Sequence, residues 1–401
     1  METNLYACFG GFSDQYWTQL TTPNFKGSCH CLSLCRVNPQ TGEMTVVNQV
    51  QGLQSPSTLV VSPDKKVVYC TNEEHDFKGR GFGGGVSAVS LDLENEKMEL
   101  INQTFSGGAS ACYVSLDRTG KYLLVANHGS KFYCSRFEVV DGAFRPIVLR
   151  DEGTVSLFRV REDGGIGEVL DRVILEGTGI DPMEHASAHP HCVIIDEDDF
   201  AIIPNKGGDN IYVAKLNRET EKLDVLSVYK SEFGSSPRYA FFVKGTPIVL
   251  VQNEYDGHLC SYRLDKMNGT LTRLDRVDIM DTESTQALEF DILGSDKHPW
   301  GCDVQVHPNN RFVYTNNTQR IVRQLELDPH TGKLTLKRSY PVPVGFMTRG
   351  MQIDPSGNFL VVTGVADEKA FIYRINQESG ELTMVSEVAL PTPTALRFIE
   401  K

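Results

Sequence analysis

At 401 residues, with 40% hydrophobic and 23% charged content, the chain has the composition of a globular protein able to bury a sizeable core. Its formal net charge of −13 sets up a field that repels nucleic acid and anionic membrane surfaces, so neither is expected as a partner. A small anionic substrate remains compatible with it, because a few local arginines override the global sign.

The N-terminus, Met1-Glu-Thr-Asn-Leu-Tyr-Ala-Cys8, lacks a basic stretch followed by an apolar one, and no run of about 18 apolar residues follows. The ten cysteines are scattered, mostly in apolar strand-like contexts such as Cys70, Cys112, Cys260 and Cys302. Reduced thiols and a cytoplasmic setting are therefore expected.

Along the chain, Asn4–Phe9 opens as a strand, and Cys29-His-Cys31 with Cys35 follows on another. Three soft ligands on one strand face cannot close a tetrahedron around zinc, so no metal is expected there. A turn then recurs seven times. It runs Asn38–Met44, Asp92–Met98, Glu162–Glu168, Asn217–Leu223, Asp265–Leu271, Asp328–Leu334 and Asn376–Leu382, at intervals of roughly 50 to 70 residues. Asp or Asn starts it by bonding its own backbone, and Gly supplies a positive φ where the chain reverses. A second turn type is interleaved at Ser62-Pro-Asp64, Asp117–Gly120, His307–Asn310 and Asp354–Gly357. Each precedes a strongly β-forming run, such as Tyr122–Ala126 or Phe359–Thr363.

These units predict an all-β chain, a single domain over residues 1–401. It is a seven-bladed β-propeller of four-stranded antiparallel blades with almost no helix. The stretch Ser130–Asp151 reads as an insertion in the third blade, Thr282–Lys297 as a longer approach to the sixth, and Gly81–Gly85 as a flexible loop. The terminal strands Asn4–Phe9 and Ala395–Ile399 are expected to share one blade and close the ring, removing exposed sheet edges.

With that architecture in place, the sequence resembles the lactonase family of seven-bladed propellers, which includes bacterial-type 6-phosphogluconolactonases and fungal 3-carboxy-cis,cis-muconate cyclases. The markers are Ser55-Pro-Ser57 with Ser62-Pro-Asp64, Val125-Ala-Asn127, His189-Pro-His191, Pro237-Arg238, Asn253-Glu254, and Arg349-Gly350 with Asp354-Pro-Ser-Gly357. The resemblance spans essentially the whole chain. Motif by motif it implies a catalytic group of His191, Arg238, Glu254 and Arg349 in the central channel. The sequence departs from the family pattern at Tyr239, at Thr348, at Asn316-Asn317-Thr318 where a positive charge is missing, at Asn205, and at Gly10-Gly-Phe-Ser13. Those changes bear on which substrate is used.

Lactone opening needs an activated water, a stabiliser for the oxyanion and a proton for the leaving alkoxide. His191 is the expected general base. Glu254 is expected to orient His191 or act as the acid, and Arg238 and Arg349 to clamp a phosphate, carboxylate or oxyanion. His185 and His189 are expected to line the pocket mouth, and Lys206 to reach a substrate phosphate. Each also has a plain structural alternative: a core histidine, an edge arginine pairing a neighbouring blade, a solvated loop lysine. No metal or other cofactor is expected; the partner is a small anionic lactone. Cyclisation of a carboxymuconate-type dicarboxylate and a non-enzymatic scaffold are the competing functions. The oligomeric state is not legible.

Overall fold

In the computed structural model of the chain, the described residues are 4–13, 27–79, 83–129, 133–181, 185–280, 301–317, 320–345 and 347–401. They form seven four-stranded antiparallel sheets, here blades I to VII. Blade I joins β1 (Leu5–Gly11), β2 (Cys31–Val37) and β3 (Met44–Gln51) to the last strand, β30 (Pro393–Glu400). Leu5 pairs with Glu400 and Phe9 with Leu396, so the two ends of the chain close the ring in one sheet. Blade II is β4 (Leu59–Val61), β5 (Val67–Asn72), β6 (Gly85–Asp92) and β7 (Lys97–Phe105).

Blade III is β8 (Ala111–Leu116), β9 (Tyr122–Asn127), β12 (Thr154–Val160) and β13 (Ile166–Ile174), interrupted by the separate hairpin β10 (Tyr133–Val140) and β11 (Ala143–Arg150). Blade IV comprises β14 (Ile194–Ile195), β15 (Phe200–Asn205), β16 (Asn210–Asn217) and β17 (Lys222–Lys230). Blade V comprises β18 (Pro237–Phe242), β19 (Ile248–Asn253), β20 (His258–Asp265) and β21 (Thr270–Asp278). Blade VI comprises β22 (Gly301–Val306), β23 (Phe312–Asn317), β24 (Ile321–Leu327) and β25 (Leu334–Pro341). Blade VII comprises β26 (Thr348–Ile353), β27 (Phe359–Gly364), β28 (Lys369–Ile375) and β29 (Leu382–Ala389).

Helix among the described residues is confined to two three-residue 3₁₀ turns, Phe77–Gly79 and Lys206–Gly208. No helix there is long and apolar enough to cross a membrane. The insertion expected at 130–151 is the β10–β11 hairpin. The segment 282–297 and Thr318 lie outside the described residues. Of the glycine-rich stretch, Gly85 is not loop but the first residue of β6, with the ring of Phe77 where a Cβ would stand.

The second strands β5, β9, β15, β19, β23 and β27 are buried along their whole length. Sheets pack on both of their faces, which explains continuous runs such as Val67-Val-Tyr-Cys in place of strict alternation. The outer strands are mostly exposed. The apolar clusters straddle blade boundaries. One joins blades I and VII, another I and II, another II and III; one spans III, IV and V, and the last two join V with VI and VI with VII. Every blade is therefore buried by its neighbours and none has a private core.

The outer turns carry a second, polar tie. At most of them an Asp or Asn oxygen accepts backbone N–H groups two and three residues on, as at Asn38, Asp92 and Asn376. The residue at the chain reversal then meets a hydroxyl of the preceding blade. Tyr69 donates to Gly164 O, Ser227 to Gly269 O, Ser261 to Gly332 O, Tyr314 to Gly380 O and Ser386 to Gly42 O. In the two turns with Glu in place of Gly the hydroxyl finds the carboxylate instead: Tyr6 donates to Glu96 and Tyr122 to Glu221, both at 2.9 Å. Glu96 and Glu221 hold positive φ values of 52° and 55°, a strained state for a residue with a Cβ. The tyrosine bond, with Arg36 on Glu96 and Arg159 on Glu221, offsets that strain.

Candidate active site

One end of the ring is built by two repeated positions. The first is a bulge at the start of the innermost strand. In β8 the ladder passes from Ala111 to Tyr113, in β18 from Pro237 to Tyr239, in β22 from Gly301 to Asp303, in β26 from Thr348 to Met351, and in β30 it skips Thr394. The skipped residues are Cys112, Arg238, Cys302, Arg349 (with Gly350) and Thr394. A bulged residue leaves the ladder and its side chain is re-aimed, here at the edge nearest the ring's interior. Ser57 and His191 follow Pro56 and Pro190 at the matching places of blades II and IV, with Pro190 bridged to Asn205.

The second position follows the end of the second strand. Phe12, Glu73, His128, Lys206, Glu254 and Val365 stand there in blades I, II, III, IV, V and VII. In blades II to V the preceding residue is Asn72, Asn127, Asn205 or Asn253, and all four asparagines are buried.

These two rings bring the predicted residues together. Arg238 lies at the centre. Its Nη1 donates to Gly301 O at 3.0 Å and Cys302 O at 2.7 Å, and its Nε lies 2.6 Å from Glu254 Oε2. Its Nη2 donates to His191 Nε2 at 3.0 Å. Glu254 Oε1 accepts from Lys206 Nζ at 2.7 Å. Relative exposure is 5% for His191, 3% for Arg238, 4% for Glu254 and 5% for Lys206, so this is a buried charge network and not a surface one. Lys206 was expected on a loop reaching for phosphate; it is instead the second cation on Glu254.

The protonation states follow from the partners. Guanidinium only donates, so His191 Nε2 is the acceptor and the neutral ring carries its proton on Nδ1. Burial, then Arg238, His128, Lys206 and Arg349, push the imidazole well below its usual value. Burial alone pushes the Glu254 carboxyl up, but Lys206 and Arg238 overcome it and hold the group down at about 2. In this arrangement the lone pair that a general base needs on His191 is occupied, and Glu254 is a fixed anion.

Arg349 stands apart from this network. It is half-buried, its guanidinium lies 4.9 Å over the Phe12 ring, and among the described residues it forms no ion pair. Asn316 donates to its backbone carbonyl at 3.0 Å. Its neighbour must be glycine: a Cβ on Gly350 would fall 2.3 Å from Thr394 O.

His185 and His189 do not line an open mouth; each is 1% exposed. His185 accepts from the Asp181 amide at Nδ1, so Nε2–H faces Ser236 Oγ at 3.1 Å, and Ser236 Oγ in turn donates to Lys206 O. His189 Nδ1 donates to His128 O at 2.6 Å, and its ring stacks on that of His128 with centroids 4.4 Å apart. The His128 ring meets His191 edge-on at 5.6 Å. Tyr239 closes the side, with its ring 5.7 Å from His191 and under the Arg238 guanidinium. Glu73 and His128 were missed in the sequence. The signal was positional: Asn72-Glu73 and Asn127-His128 occupy the same blade position as Asn253-Glu254.

Among the described residues no group of three or more His, Cys, Asp or Glu is placed to hold a metal ion. Residues 17–398 match the family described as lactonase, 7-bladed beta-propeller. The chain is 24% identical over 353 residues to a 6-phosphogluconolactonase of Formosa agariphila, covering 86% of this chain and 88% of that one. It is 22% identical over 354 residues to a 6-phosphogluconolactonase of Bacillus subtilis, covering 87% and 88%. Among solved structures, the periplasmic gluconolactonase PpgL of Pseudomonas aeruginosa superposes with a TM-score of 0.79 at 20% identity, over 98% of this chain and 99% of that one. The chain belongs to the lactonase family of seven-bladed β-propellers.

Proposed function

We propose that this end of the ring hydrolyses an anionic sugar lactone, with 6-phosphogluconolactone the first substrate to test. The relatives' names support the substrate class. The observation that carries the reading is the division of labour among the cations. Lys206 and Arg238 are committed to Glu254 inside the protein, whereas Arg349, only partly buried, has no ion-pair partner among the described residues. A fixed fork of this kind suits an anionic substituent or the oxyanion formed as water attacks the lactone carbonyl. The Glu254–Arg238–His191 chain supplies the buried wall against which that charge develops, with the Tyr239 ring packed on its flank.

The test is lactone disappearance with the purified protein, compared with the spontaneous rate in the same buffer. A rate in excess of background is expected. Arg349→Ala should lower that excess by about 10²-fold or more, the cost typical of losing one oxyanion donor, and His191→Ala should lower it too. No excess over spontaneous opening overturns the reading.

A further inference from the structure

We infer that Asp303 and Asn316 of blade VI are positioning residues for Arg349, holding in place the bulge that carries its guanidinium. The inference rests on the lactonase reading and names two side chains that act through Arg349 without touching substrate.

The bulge needs outside support. Arg349 and Gly350 drop out of the β26–β27 ladder, which passes from Thr348 to Met351. Backbone groups released from a ladder must be bonded elsewhere. Within blade VII, Thr363 Oγ1 accepts the Gly350 amide at 2.9 Å and donates to Gly350 O at 3.1 Å. The remaining ties come from blade VI. Thr348 Oγ1 donates to Asn317 O at 3.0 Å, Asn316 Nδ2 donates to Arg349 O at 3.0 Å, and the Met351 amide donates to Asp303 Oδ2 at 2.9 Å. Two side chains of the neighbouring blade therefore bracket Arg349, one on its own carbonyl and one on the amide two residues on.

The bracket is itself rigid. The Asp303 amide donates to Asn316 Oδ1 at 2.9 Å, which joins its two halves. Thr315 Oγ1 donates to Asp303 O at 2.9 Å, and Gln252 Nε2 of blade V donates to Asn316 O at 2.8 Å. A carboxylate suits position 303 because it only accepts. It takes three N–H groups: the Val304 amide at 2.7 Å and Gln305 Nε2 at 3.2 Å on Oδ1, and Met351 on Oδ2. Asp303, Asn316 and Met351 are all buried, so removing the carboxylate leaves a buried amide without its acceptor.

The same stretch of β22 also receives the other arginine. Arg238 Nη1 donates to Gly301 O and Cys302 O. Three consecutive residues, Gly301 to Asp303, thus take Arg238 by two carbonyls and hold the Arg349 bulge by a side chain. The spacing between the buried charge network and the Arg349 fork is set by this one piece of strand. Misplacing a catalytic group by about 1 Å costs up to about 10²-fold in rate.

The experiment measures kcat, KM and the melting midpoint for wild type, Asp303→Ala, Asp303→Asn, Asn316→Ala and the reference Arg349→Lys on 6-phosphogluconolactone. Arg349→Lys keeps the charge and loses the fork, so its division of the loss between kcat and KM reports what the fork contributes. Asp303→Ala should lower kcat/KM by about 10- to 10²-fold, divided between kcat and KM as in Arg349→Lys. Asp303→Asn keeps an oxygen for the Met351 amide and should recover most of that loss. Asn316→Ala leaves the Asp303 carboxylate in place and should fall in the same direction by a smaller factor, which carries the test if Asp303→Ala does not fold. With active wild type, the positioning role is overturned if the folded alanine variants keep wild-type kcat/KM. It is equally overturned if their losses divide between kcat and KM unlike that of Arg349→Lys. A wild type no faster than spontaneous opening overturns the lactonase reading and this inference with it.

Discussion

Replacing Glu254 by Gln should be the most damaging single change in the charge network, and worse than removing Lys206. The wild-type cluster holds two cations, Lys206 and Arg238, on one carboxylate, at 2.7 and 2.6 Å. Glu254→Gln leaves both cations buried with no anion. Lys206→Met leaves one cation on one anion. Breaking a buried pair by removing one partner costs about 3–5 kcal/mol. An unfolding entropy of about 2.1 cal/mol/K per residue over 401 residues makes about 4 kcal/mol equivalent to about 5 °C in the melting midpoint.

Glu254→Gln should therefore melt about 5 °C below wild type, and Lys206→Met should lose less. The same carboxylate sets an acid limit. Its folded value of about 2 lies below the ordinary 4.5, so it stabilises the fold above 4.5, and that contribution drains away as pH falls from there toward 2. Urea titrations across that window should show a steep loss in wild type and a shallower one in Glu254→Gln. The reasoning fails if Lys206→Met is the more destabilised variant, or if both variants share the wild-type acid profile.

Two further outcomes follow from the fold. Glu96→Ala and Glu221→Ala each keep a side chain at positive φ while losing the tyrosine and arginine partners, so each should lower denaturation stability by about 1–2 kcal/mol, whereas Glu96→Gly should cost less than Glu96→Ala because it relieves the strain. Gly350→Ala puts a methyl 2.3 Å from Thr394 O; the strand must shift, with a loss of about 1–3 kcal/mol in urea melts and a fall in lactonase rate as Arg349 is displaced.

The fold was legible because its signals are local. Most outer turns write themselves in Asx chemistry, and most buried second strands in a continuous β-forming run. The closing of the ring followed from two strand-like ends with no other partner. Even the glutamates at 96 and 221, which break the glycine rule of the turn, have a reason in the preceding blade: a hydroxyl there needs an acceptor, and a carboxylate serves where the backbone carbonyl serves elsewhere.

The site was legible only in part, because its geometry depends on register. His191, Arg238, Glu254 and Arg349 could be placed by motif, but nothing in the sequence marks that Arg238 and Arg349 sit in bulges, and the bulge is what takes a strand residue out of its ladder. The same blindness explains Lys206. In sequence it starts a glycine-rich loop; in space it occupies the repeat position of Glu254 one blade earlier, and adjacent positions on a ring are neighbours across a blade boundary. Opposite charges at the same position of consecutive blades must therefore meet. Applied to the whole ring, that rule sets Lys206 against Glu254 and puts His128 at the position between Glu73 and Lys206. It leaves Glu73, flanked by Phe12 and His128, as the carboxylate whose repeat-position neighbours include no lysine or arginine. The two glutamates therefore differ in what the ring sets beside them: Glu254 has Lys206 at 2.7 Å, and Glu73 stands between a phenylalanine and a histidine position.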